Sequence, residues 1–179
     1  MIRYALTYGL LSGAVIAAII SAGLAILSLD SFAGTMWFGY LVMLVALSFI
    51  FVGVKRYRDV ERGGVIKFWP ALGAGLAISL VATAAYIVTW EIYLFATDYR
   101  FMDEYVAHVI RQHQAAGMSA EALAAEVAKM NQMRELYANP LFRAGFTFIE
   151  IFPVGLIVSL FSAALLRNPK LLPATVRTV

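Results

Sequence analysis

Residues 142–166 read FRAGFTFIEIFPVGLIVSLFSAALL. After Arg143 the run contains one ionisable side chain, Glu150, and no polar cluster that would mark a turn. At about 1.5 Å of rise per residue, a helix of this length exceeds the roughly 30 Å hydrocarbon core of a bilayer. Lipid offers backbone amides and carbonyls no hydrogen-bond partner, so a single lipid-embedded segment must satisfy them internally, as a helix does. The composition agrees: 62% of the 179 residues are apolar and 14% are charged, against about 25% charged in soluble domains.

Three further runs of the same kind lie upstream, at about Tyr4–Leu29, Met36–Val54 and Phe68–Ala96. The first is far longer than the roughly 7–15 residues of a signal-peptide core, so it is expected to be an uncleaved span. A turn at Asp30–Gly34 separates the first two runs. A polar loop, Lys55–Lys67, follows the second, and its Gly63-Gly64 pair is a turn signal. Four spans of about 20 residues each use roughly half the chain, leaving no room for a separate soluble domain. The expectation is an all-α integral membrane protein forming a single domain over residues 1–179. It is a four-transmembrane-helix bundle with an outer-side helical hairpin, about residues 99–138, between spans three and four.

Orientation follows from the basic residues near span ends. One side carries Arg3, the Lys55–Lys67 loop with Arg56, Arg58 and Arg62, and the tail 167–179 with Arg167, Lys170 and Arg177. The other side carries basic residues interspersed with acids. The first side is therefore expected to be cytoplasmic, placing both termini in the cytoplasm. Trp37, Trp69 and Trp90 fall at predicted boundaries, where amphipathic rings are favoured. On the outer side, Met102, Tyr105, Val106, Val109 and Ile110 predict a helix over about Phe101–Ala116, stopped by Gly117. Ser119 is a candidate N-cap for a second helix, with Glu121 in its first turn. Leu123, Val127, Met130, Met133 and Tyr137 form its apolar stripe, and Asn139-Pro140 ends it. The reading is an antiparallel pair lying over the bundle or on the headgroups.

Small residues predict where spans touch, because helix contact in lipid depends on close backbone approach. Gly9, Gly13 and Ala17 mark span one; Gly75, Ser79 and Thr83 mark span three; Gly155, Ser159 and Ala163 mark span four. Glu150 is about eight residues into span four, or ~12 Å below its start. A charged acid at a span centre costs about 2.5–3.5 kcal/mol on insertion scales, so protonation or a partner must offset it. Pro153 lacks an amide donor and is expected to kink the helix beside this acid. Arg143 and Thr147 share its helix face. Glu91 lies near the outer end of span three, on a face lined by Ala84, Ala77 and Gly73. The candidate ligand-binding set is Glu150, Glu91, Arg143 and Thr147, framing a polar pocket for a cation, a proton or a lipid headgroup. The bland alternative is a protonated Glu150 that holds the bundle together.

Other chemistry lacks its signals. The absence of cysteine removes disulfides and thiolate sites. His108 and His113 are five apart, not the four that aligns ligands on a helix, so no metal and no cofactor are expected. Glu104 and His108 read as an exposed pair one turn apart. No phosphate loop, dinucleotide fingerprint or nucleophile elbow occurs. The basic residues sit at helix ends rather than along a groove, which argues against nucleic acid. The Lys55–Lys67 loop is expected to set orientation and touch anionic lipid.

Several motifs carry a resemblance. Tyr8-Gly9 with Gly13, Gly63-Gly64-Val-Ile-Lys-Phe68, Tyr86 with Trp90-Glu91, and Met118-Ser119 are four of them. The most specific are Glu150-Ile-Phe-Pro-Val-Gly155 and Ser159-Leu-Phe-Ser-Ala163. Together they resemble the bacterial membrane proteins grouped as domain of unknown function 4199. The resemblance implies the fold and topology and singles out Glu150, Pro153 and Gly155; it supplies no substrate. Partners are expected to be the lipid bilayer and either another envelope protein or further copies of the chain. Three functions follow in order: an accessory or scaffold protein of the envelope; transport or binding of a small molecule, proton or lipid headgroup around Glu150; and an envelope enzyme using Glu91 and Glu150.

Overall fold

The computed structural model describes residues 1–26 and 36–174. Six helices follow one another: α1 (Ile2–Ile26), α2 (Met36–Glu61), α3 (Phe68–Ala96), α4 (Phe101–Ala115), α5 (Ala120–Tyr137) and α6 (Pro140–Leu166). There is no strand among the described residues. Helices α1, α2, α3 and α6 are each long and apolar enough to cross a membrane. The expected turn at Asp30–Gly34 lies outside the described residues.

Two boundaries move. Residues 55–61, expected as loop, continue α2 for nearly two turns. Their charges stabilise the helix: Lys55 and Asp59 pair across one turn at 2.6 Å, the spacing at which opposite charges on a helix meet. The real connection is the short segment 62–67, where Gly63 and Gly64 adopt φ of +61° and +84°. Only glycine enters that left-handed region without cost, and it lets the Gly64 amide return to the Arg58 carbonyl at 3.0 Å. Helix α6 starts two residues earlier than expected, with Asn139 capping it from its side chain and Pro140 in the first turn. Helix α6 runs unbroken through Pro153, which is exposed. The expected kink is thus not a break in the helix.

Both α2 and α3 pack against α1 and α6, so α1 and α6 flank the α2–α3 pair. The small-residue stripes account for the two α3 contacts. A Cβ built on Gly13 would meet the Ala85 Cβ at 2.7 Å and the Ala82 carbonyl at 2.9 Å. Across the other face, a Cβ on Gly75 would meet the Ser159 Cβ at 2.9 Å, and one on Gly155 would overlap Ser79 Oγ. Each helix therefore offers a glycine to the partner's serine. Ser159 returns its own hydroxyl to the Gly155 carbonyl at 2.7 Å, and Thr83 does the same to Ser79 at 2.9 Å.

Beyond the spans, α4 and α5 pack against each other, and α5 also touches α6. Ser119 caps α5 through the Ala122 amide as expected. The five stripe residues of α5 are all half-buried, so its periodicity is correct but its cover is partial. In α4, Met102 and Val106 are buried while Tyr105 is exposed, its ring stacked on Phe101 instead. His108, expected at the surface beside Glu104, is buried.

Candidate functional site

The end of the bundle that carries α4 and α5 holds a buried cation. Arg143 lies one turn into α6 and is 4% exposed. Its Nε donates to Glu91 Oε1 at 2.9 Å and one terminal nitrogen to Glu91 Oε2 at 2.6 Å, a bidentate fork. The other terminal nitrogen donates to the carbonyls of Tyr137 and Ala138 at 2.9 and 3.1 Å. Every guanidinium nitrogen is thus engaged, in the geometry that makes such pairs strong. One side chain ties α3, the last residues of α5 and α6 into one corner.

Aromatic rings close this corner. Trp90 donates its indole N–H to the Tyr137 hydroxyl at 2.8 Å and packs edge-on against Phe101. The guanidinium carbon of Arg143 lies 5.1 Å from the Tyr99 ring centre and 5.9 Å from that of Tyr137, within cation–π range. Tyr99 has φ of +55° and follows Asp98 at +52°. A bulky residue rarely takes this conformation; here it turns the chain out of α3, with the Tyr99 amide bonded to the Leu94 carbonyl at 2.8 Å. The same turn brings the ring over Arg143. Burial raises the Tyr137 hydroxyl pKa above its ordinary value, against the opposing pull of the Trp90 hydrogen bond and the Arg143 charge.

Of the four predicted site residues, the structure brings Arg143 together with Glu91. Thr147 is buried one turn further along α6. Glu150 is set apart: it is exposed on the edge of α6, beside the inward stripe of Arg143, Thr147, Ile151 and Gly155. It lies within electrostatic range of Tyr86 and Tyr137. No hydrogen bond or ion pair reaches its carboxylate among the described residues. No group of three or more histidine, aspartate or glutamate side chains suited to a metal occurs among them either.

Sequence reasoning missed the ring residues Tyr99 and Tyr137 as partners of Arg143. It read Trp90 as a boundary ring, whereas Trp90 is 7% exposed while Trp37 and Trp69 are 79% and 76% exposed. It also missed a second buried cation at the opposite end. Arg58 is fully buried, donates to Asp59 Oδ1 at 2.7 Å, and holds the carbonyls of Leu171 and Leu172 beyond α6. The only signal for it was an arginine on the continued inward face of α2, one turn after Val54.

A family model described as "Protein of unknown function (DUF4199)" matches residues 3–168. The chain belongs to that family. The match begins at the second residue of α1 and ends two residues past α6, so the Arg143 corner, the Glu150 edge and Arg58 all lie within it. Neither a curated protein nor a solved structure matches the chain.

Proposed function

We propose that this DUF4199 protein is an accessory or scaffold subunit of the cell envelope that associates with a partner inside the bilayer through the Glu150 edge of α6. The observation that carries the reading is the exposure of Glu150 in the middle of a helix long and apolar enough to cross a membrane, with no hydrogen bond or ion pair to its carboxylate among the described residues. A carboxyl facing hydrocarbon costs a few kcal/mol, and lateral contact with a polar group on another helix removes that cost. The polar groups nearby are committed: every guanidinium nitrogen of Arg143 already donates, and both oxygens of Glu91 accept from it. Glu91 therefore acts as a counter-ion rather than as a free acid or base. In this reading the chain is a multi-pass protein of the bacterial inner membrane, with the α2–α3 connection and both termini in the cytoplasm.

Photo-crosslinking tests this in membranes. A benzophenone amino acid at Phe146 or Ile157, both on exposed positions of α6, should give a discrete protein adduct. The adduct should weaken strongly in Glu150→Leu and survive in Glu150→Gln, which keeps the polar contact. Diffuse lipid adducts alone, or adducts indifferent to Glu150→Leu, would overturn the proposal. A second reading, binding of a proton or small cation, is favoured by the nearness of Tyr86 and Tyr137 to Glu150. It requires that Glu150→Gln abolish function while leaving the adduct in place.

A further inference from the structure

At the end opposite the Arg143 corner, a groove of about 830 Å³ runs along α2, lined by Tyr8, Val52, Lys55, Arg56, Val60 and Ala174, with Asp59 at its side. A smaller hollow of about 260 Å³ continues it toward α1 and adds Arg3, Tyr4 and Thr7. The two share Tyr8, Arg56 and Val60, so they adjoin as one surface channel.

The charges around this channel are unequal. Asp59 is neutralised twice, by Lys55 at 2.6 Å and by Arg58 at 2.7 Å. Glu61 accepts from the Tyr4 hydroxyl at 3.3 Å. Arg3 and Arg56 have no ion pair among the described residues. Both lie within electrostatic range of the Tyr4 hydroxyl, which places the two guanidinium groups around one locus. Val52 and Val60 beside them are 44% and 61% exposed. The site is also built: Arg58, fully buried, fastens the segment after α6 by its carbonyls, and that segment supplies Ala174 as a wall.

We infer that this channel is a binding site for an anionic phospholipid, with Arg3 and Arg56 holding the phosphate and Val52, Val60 and the Tyr8 ring lying along its chain. Charge complementarity selects the occupant. Two guanidiniums without an ion pair, against the single carboxylate of Glu61 at the same locus, leave a net positive charge beside exposed apolar side chains, which matches a headgroup with net negative charge attached to hydrocarbon. A zwitterionic headgroup brings an ammonium that meets two like charges. The site is independent of any role of Glu150, which lies on a different helix from both arginines.

The test is native mass spectrometry of the full chain released from nanodiscs of mixed phosphatidylglycerol and phosphatidylcholine, scoring which lipid is retained. The wild type should retain phosphatidylglycerol preferentially. Arg3→Gln with Arg56→Gln should lower that preference by about tenfold, since each basic residue near anionic lipid contributes substantially. Both side chains are exposed, so the fold should persist. Lys67→Gln and Arg167→Gln, at the same end but outside the channel, should leave the preference unchanged. An equal preference in the double arginine variant, or an equal loss in the lysine and Arg167 controls, overturns the site. Displacement of the lipid by millimolar inorganic phosphate overturns the lipid reading in favour of a soluble phosphate ligand.

Discussion

Replacing Glu91 by glutamine removes the charge from the corner while keeping its shape. In the wild type, Glu91 receives two charge-assisted bonds from Arg143, whose side chain is 5% exposed, while that of Glu91 is 30% exposed. Breaking a fully buried pair costs about 3–5 kcal/mol and breaking an exposed one about 0–1 kcal/mol. The partial exposure of Glu91 puts this pair between those limits, so Glu91→Gln should destabilise by about 2 kcal/mol. Arg143→Gln also removes the bonds to the Tyr137 and Ala138 carbonyls and the stack on Tyr99. It should therefore cost more, about 3 kcal/mol or above, since each additional hydrogen bond removed adds roughly 1 kcal/mol. In the double variant no charge is left stranded, so its cost should fall about 2 kcal/mol short of the sum of the single changes. The assay is reversible unfolding in detergent micelles, followed by tryptophan fluorescence, because Trp90 lies on Tyr137 within the corner. Additive costs in the double variant, or a cost for Glu91→Gln below about 0.5 kcal/mol, would refute the claim that this pair locks α3 to α6.

Other changes probe separate parts of the bundle. Gly155→Ala places a methyl against Ser79 Oγ and should destabilise by about 1–3 kcal/mol through overpacking, with Ser79→Gly restoring part of the loss in the same unfolding assay. Tyr137→Phe leaves the Trp90 indole donor without its acceptor and should cost about 1–2 kcal/mol, accompanied by a change in tryptophan emission. Because burial raises the folded-state pKa of Tyr137 above its ordinary 10.0, the protonated hydroxyl is favoured by folding. That stability is present below about pH 10 and declines as pH rises through the folded pKa; a pH series of unfolding should show the decline in the wild type and less of it in Tyr137→Phe. Arg58→Met should free the segment after α6, read as faster proteolysis beyond Leu166, while the four spans stay intact.

The spans were legible because lipid imposes one requirement on every residue inside it, and a long apolar run answers that requirement visibly. Helix contacts were legible for a related reason: Gly75, Ser79, Gly155 and Ser159 are small at the spacing that puts them on one face. The length of α2 was not, because the charges of Lys55, Arg58 and Asp59 resemble a loop until their pairing along the helix is known. Arg58 was invisible as a buried group because its partners are backbone carbonyls 113 and 114 residues away, and a carbonyl has no signature in the sequence. Arg143, Glu91 and Glu150 were all named, but the sequence did not say which acid pairs with Arg143, and its own helix offered Glu150. Seven residues of α-helix separate those two by about 10 Å of rise, too far for an ion pair, whereas α3 delivers Glu91 to within 2.6 Å.

The two buried arginines explain why one acid of the spans is left over. Each stands near one end of the bundle, each takes one acidic partner, and each uses its remaining donors on backbone carbonyls of a segment adjoining α6. Arg58 fixes the segment after α6, and Arg143 fixes the one before it. Both ends of α6 are thereby held, and its glycine–serine contact with α3 fixes the middle. A helix held at three levels has little freedom to rotate, so Glu150 cannot turn inward to find a partner without breaking at least one of them. Its exposure is then a consequence of the fold rather than of a soft helix. In the proposed reading, an acid held outward by three restraints meets a polar group on a helix outside the bundle. If Gly155→Ala or Glu91→Gln loosens α6, the Phe146 crosslink should weaken along with stability, although neither residue would touch the partner.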